Sequence, residues 1–149
     1  MGKVAGPLLA LLMLAAVPSA CAARDFARAR AEVGCSDEDL AATIVTLSDG
    51  DGPYLEFQVT GLGGGQAPPT LSMTTGPRPQ GAASIARATW VDGGTRTALA
   101  GTLDLTEVVP GDHLSGRYDL LAPESRKIGS RKITGRFTVP WPHGAAGCG

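Results

Sequence analysis

Histidines, aromatic side chains and long apolar runs are all scarce in this chain of 149 residues. Two histidines occur, aromatics make up 5% of the sequence, and the formal net charge is −1. The sequence contains no G-x-S-x-G, S-x-x-K or H-E-x-x-H, so the local marks of serine hydrolases, acyl-transferring Ser–Lys enzymes and zinc hydrolases are missing. His113 follows a "PGD" turn and His143 sits in a Pro-rich tail, positions that suit solvated polar residues better than a general base or a metal ligand. Few aromatics argue against a stacking platform for single-stranded nucleic acid. A near-neutral charge argues against polyanion binding by bulk electrostatics. These absences lead to the expectation of a non-catalytic protein with no cofactor and no nucleic-acid partner.

What is present begins with a targeting pattern. Lys3 supplies a positive start, and residues 8–17 ("LLALLMLAAV") form a ten-residue apolar run followed by small residues. A bilayer-spanning helix takes about 20 residues, so this segment reads as a cleaved export signal over 1–20. No later stretch is apolar enough to span. The junction "VPSACAA" permits two cuts. In one, Ser19 and Ala20 before Cys21 resemble the tail of a bacterial lipobox, with Cys21 lipidated as the first residue of the mature chain; Pro18 departs from the aliphatic residue favoured there. In the other, Ala20 and Ala22 form an A-x-A site and Cys21 leaves with the signal. The first is the preferred reading, and Ala22 after it resembles the pattern of lipoproteins sorted to the outer membrane.

Either cut removes Cys21 from pairing and leaves Cys35 and Cys148. In the oxidising environment reached by an exported chain, these two are expected to form one disulfide. Roughly 127 residues remain after cleavage, enough for one domain with a real core. Residues 21–34, charged and alanine-rich around "RDFARARAEV", read as a lipidated tether, with a short helix possible. Residues 35–149 read as the domain. Arginine outnumbers lysine ten to three and Ala, Gly and Pro are abundant, a composition associated with GC-rich bacterial genomes.

At the domain's start, Ser36 and the acids after it have capping-box spacing and predict one helical turn. Period-2 alternation then takes over. In "YLEFQVTG", Leu55, Phe57 and Val59 fall on one side and Glu56, Gln58 and Thr60 on the other, the pattern of a half-buried strand. "ATIVTL" precedes it across the turn-like "SDGDGP", so the two runs predict a hairpin. Further strands are predicted over 70–75, 82–91, 95–108, 113–121 and 132–139, separated by segments rich in turn formers. About seven strands without a long helix predict an all-β fold: a single antiparallel β-sandwich or partly open barrel ending in a three-strand meander.

One phrase recurs. "LAGTLDL" (99–105), "LSGRYDL" (114–120) and "ITGRFTV" (133–139) each place a glycine among alternating apolar residues. Consecutive strands of a meander would bring these copies onto one sheet, with Leu114, Tyr118 and Leu120 sharing a face with Ile133, Phe137 and Val139. The glycine recurs where something packs close to the sheet, such as the ring of Tyr118 or Phe137.

The stretch "GTLDLTEV…LSGRYDL…ITGRFTVPW", with a cysteine near the end, resembles the C-terminal half of small β-rich lipoproteins of GC-rich Gram-negative bacteria, in which "SGTVTLT" is followed by "SGSFDL" and "GTFDAPxC". The likeness covers roughly residues 99–148, and this chain inserts "PHGAAG" before its last cysteine. It implies an envelope location and a β fold, and no activity.

Three features invite a binding reading. "DGDG" at 49–52 suggests calcium, but a loop of EF-hand spacing would need ligands where Pro53 and Thr60 stand, so a hairpin turn explains it better. Acids at Asp37, Glu38 and Asp39 could add ligands if the fold brought them near. Charge is uneven: 32–77 holds seven acids and no base, while 113–149 holds six Lys or Arg against two acids. Arg126, Lys127, Arg131 and Lys132, with Arg117 and Arg136, could form a basic patch for a polyanion, or simply keep a hairpin soluble. Trp90 and Trp141 could stack on sugar rings, although aromatics more often plug a core. The expected function is therefore an exported, lipid-anchored, non-catalytic structural or binding module of the cell envelope at the outer membrane. The alternatives are a secreted carbohydrate-binding module and a secreted hydrolase with dispersed residues.

Overall fold

The computed structural model describes residues 25–62, 71–75, 85–122, 132–145 and 147–148. The segments around Cys21, Arg126, Lys127 and Arg131 lie outside the described residues. Eight strands run along the chain: β1 Arg28–Cys35, β2 Ala41–Ser48, β3 Tyr54–Thr60, β4 Leu71–Thr75, β5 Ile85–Asp92, β6 Thr95–Val109, β7 His113–Leu121 and β8 Lys132–Pro140. They form one sheet in the order β1-β2-β3-β5-β4-β6-β7-β8. The sheet curls on itself as a partly open barrel, so the barrel alternative holds, and among the described residues there is no second sheet to make a sandwich.

Local chemistry sets the turns. The β5–β6 hairpin turns on Gly93 and Gly94, both with positive φ (53° and 83°), as a two-residue type I′ loop requires. The β6–β7 hairpin places Pro110 and Gly111 at the centre of a turn closed by Asp112 N–H donating to Val109 O at 3.0 Å; Pro before a positive-φ Gly is the type II signature. Ser36 does act as a cap, its Oγ accepting from the N–H groups of Glu38 and Leu40. The predicted helical turn does not follow, because Asp39 swings to φ 55° and the chain turns back into β2.

Further along, β5 and β6 pair from Ala88↔Leu99 to Asp92↔Thr95 and then part, and β4 wedges between them. Thr75 sits at the fork, 2% exposed, and its hydroxyl donates to Leu99 O at 3.1 Å. β6, β7 and β8 form the predicted meander, with one extra residue in β6 between Leu105 and Glu107 bulging out of register.

One face of β2, β3, β5, β6, β7 and β8 fills the barrel. Val45, Leu47, Leu55, Phe57, Val59, Leu99, Leu103, Leu105, Leu114, Tyr118, Leu120, Phe137 and Val139 are buried together. Phe57 reaches across to Tyr118 (centroids 5.4 Å) and Phe137 (6.0 Å). The recurring glycines stand opposite bulky residues in the ladders: Gly101↔Leu120, Gly116↔Phe137 and Gly135↔Tyr118. At Gly116 the missing side chain makes room for the ring of Phe137, and at Gly101 it makes room for the backbone of Asp119 and Leu120.

β1 corrects the expected tether. From Arg28 onward the chain is a full strand, paired with β2 from Arg28↔Ser48 to Cys35↔Ala41. Its half-buried residues, Ala31 and Val33, alternate with the exposed Arg28, Arg30 and Glu32. The period-2 signal was therefore present. It is muted because alanine is a weak strand former and gives little apolar contrast with the arginines beside it.

Following the antiparallel pairings around the sheet, β1 and β8 point the same way. They adjoin across a seam, which the ladder does not cross among the described residues. Cys35 and Cys148 form a disulfide there, with Cα atoms 5.6 Å apart and a sequence separation of 113. The expected disulfide is present.

Candidate functional site

Among the described residues the barrel interior is packed with apolar side chains, and the charged side chains lie on the outer wall and the rims. Charged residues on that wall fall into two groups. Arg87 contacts Glu38 at 2.5 Å and Asp37 at 3.8 Å, and Arg96 contacts Glu56 at 2.6 Å. Gln58 ties this cluster together, donating to Glu56 at 2.9 Å and accepting from Asp37 N–H at 3.3 Å. The bond to Glu56 also raises the pKa of the Arg96 guanidinium above its ordinary value. On the meander, Arg117 contacts Asp104 at 3.0 Å and Lys132 contacts Asp119 at 2.8 Å.

Arg28, Arg30 and Arg136 form the second group. None makes an ion pair or side-chain hydrogen bond among the described residues, whereas the four cations above all do. The three unpaired arginines lie on β1 and β8, the strands that flank the seam. Arg136 also stands directly opposite Arg117 in the β7–β8 register, a like-charge pairing that is unfavourable unless something negative relieves it.

Two open grooves mark this part of the wall. One is lined by Arg28 and Arg30 with the hydroxyl groups of Thr46, Ser48 and Tyr54, and Asp51 at its margin. The other lies over the meander, lined by Arg117, Arg136, Thr102 and Thr134, with Asp104, Asp119 and Asp25 adding negative charge. Asp25 precedes β1 yet shares a groove with Thr134 and Arg136, so the start of the described chain lies against β8.

The sequence-predicted residues separate accordingly. Of the basic patch, Arg126, Lys127 and Arg131 lie outside the described residues, and Lys132 is engaged by Asp119. Trp90 does not face outward: it packs against the core and meets Phe26 with ring centroids 6.4 Å apart. Trp141 is half-buried against the core edge, its backbone N–H donating to the backbone O of Asp112 at 2.9 Å. The "DGDG" segment is the β2–β3 turn, where Asp49 Oδ1 accepts from Ala27 N–H. Asp37, Glu38 and Asp39 lie at the other end of β2, so the two acidic groups are not brought together.

His113 is held between two carboxylates, Nδ1 at 2.9 Å from Asp112 and Nε2 at 3.3 Å from Glu107. Its pKa is raised, first by the hydrogen bond to Asp112 and then by that to Glu107. With a carboxylate on each ring nitrogen, neither nitrogen faces a hydroxyl or thiol nucleophile, which is what a catalytic base requires.

No protein-family model, curated protein or solved structure matches this chain. Arg28 and Arg30 were missed as site residues because they fell inside the expected tether. The signal that could have found them is their spacing of two, which puts both guanidinium groups on one face of a strand.

Proposed function

We propose that this is an exported, lipid-anchored envelope protein of the outer membrane, acting as a non-catalytic structural or binding module. The observation that carries the reading is the Cys35–Cys148 bridge in a chain that opens with an export pattern ending at Cys21. Stable single disulfides belong to oxidising compartments, and Cys21 is the cysteine left over. The filled barrel and the doubly occupied His113 support a role in binding or structure.

The carbohydrate-binding alternative has less support, since Trp90 turns inward and Trp141 lies half-buried. Metabolic labelling with a palmitate analogue tests the proposal: the wild type should incorporate label and Cys21→Ala should not. An unlabelled wild type whose mature N-terminus is Ala23 would mean plain secretion instead.

A further inference from the structure

We propose that the wall across the β1–β8 seam is a docking surface for anionic phospholipid headgroups of the membrane to which the chain is tethered. The inference rests on the lipidation reading for its choice of partner, and on the geometry of the wall for its site. With β1 beginning at Arg28, the tether shrinks. From Cys21 to Asp25 the chain takes four residue steps, each extending at most about 3.5 Å. A lipid on Cys21 would therefore hold Asp25 within about 14 Å of the bilayer surface.

Asp25 lies against the β8 wall, beside Thr134 and Arg136. The leash thus emerges at the seam itself, and the seam-side wall is what a short leash presents to lipid. That wall carries Arg28, Arg30 and Arg136, the cations that make no ion pair among the described residues. The opposite wall, formed by β3, β5 and β6, has its Arg87 and Arg96 engaged by Glu38 and Glu56. Charge complementarity therefore selects the same side that the leash selects.

The groove of Arg28 and Arg30 adds chemistry suited to a phosphodiester. Guanidinium groups bind phosphate oxygens through paired N–H donors, and Thr46, Ser48 and Tyr54 supply hydroxyl donors alongside. Asp25, Glu32 and Asp51 share this wall and oppose binding, so the site is weak for a free molecule. Tethering compensates, because a short leash raises the effective concentration of the surface to the millimolar range.

The test uses the mature chain from residue 21 with Cys21→Ser, so that binding is read without the anchor. Amide shifts are followed by NMR on adding bicelles rich in phosphatidylglycerol, and compared with phosphatidylcholine bicelles and with inorganic phosphate. The expected result is perturbation of β1 and β8 by phosphatidylglycerol, little effect on β5, weakening with added salt, and at least about tenfold weaker binding for R28E/R30E. Shifts centred on β5 and β6, equal response to both bicelles, an unchanged R28E/R30E, or saturation by inorganic phosphate alone would each overturn the proposal. Because Cys21 is not acylated here, failure of the docking surface is separate from failure of palmitate labelling.

Discussion

Gly116 stands directly opposite Phe137 in the β7–β8 ladder, and a methyl group placed on it would lie 2.7 Å from Phe137 Cζ. The aromatic ring occupies the space that a side chain at 116 would need. Gly116→Ala should cost about 1–3 kcal/mol, the usual penalty of overpacking, read as a lower urea midpoint with unchanged slope. Adding Phe137→Leu should recover part of that loss, since the two positions are in contact and their effects do not add. Gly101→Ala should be worse and should resist such rescue. Its obstacle is the backbone carbonyl of Asp119, and its φ of 150° disfavours any side chain.

The disulfide gives a second prediction. Closing a loop of 113 positions stabilises a fold by up to about 4.7 kcal/mol in the chain-entropy model. Cys35→Ala and Cys148→Ala should lose similar amounts, and reductant should lower the melting temperature of the wild type but of neither variant. A wild type indifferent to reductant, with both thiols alkylated before any is added, would show that the bridge does not form.

His113 predicts a pH dependence whose sign follows from its raised pKa. A histidine whose folded pKa exceeds its unfolded value near 6.5 binds its proton more tightly in the native state. Its contribution is complete below the unfolded pKa and is lost as pH rises through the folded one. NMR titration of its ring protons should place the midpoint above 6.5. Asp112→Asn should lower it further than Glu107→Gln, because Asp112 is the larger cause. Equal effects, or none, would contradict the geometry.

Much of the fold was legible because period-2 alternation is strong wherever one strand face is buried. Leu55, Phe57 and Val59 announced β3, and the repeated phrase announced the meander, including the close approach of Phe137 to a glycine. What the residues did not disclose was connectivity: nothing local to Thr75 says that β4 wedges between β5 and β6, since that pairing is non-local. β1 was lost for a related reason. Its half-buried residues are Ala31, Val33 and Gly34, so the apolar contrast that marks a strand is faint beside its arginines. The candidate site suffered most, because an unpaired arginine is defined by which acids fail to reach it, and that depends on the closed geometry of the sheet. Cys35 and Cys148, by contrast, could be paired by counting.

The seam has a consequence for biogenesis. β1 and β8 run in the same direction, so no tight turn could ever join them, and the bond between Cys35 and Cys148 must wait until nearly the whole domain has been synthesised. The bridge is thus a latch that closes after assembly and cannot guide it. A growing chain therefore carries Cys35 as an open thiol, available for exchange, until its distant partner arrives.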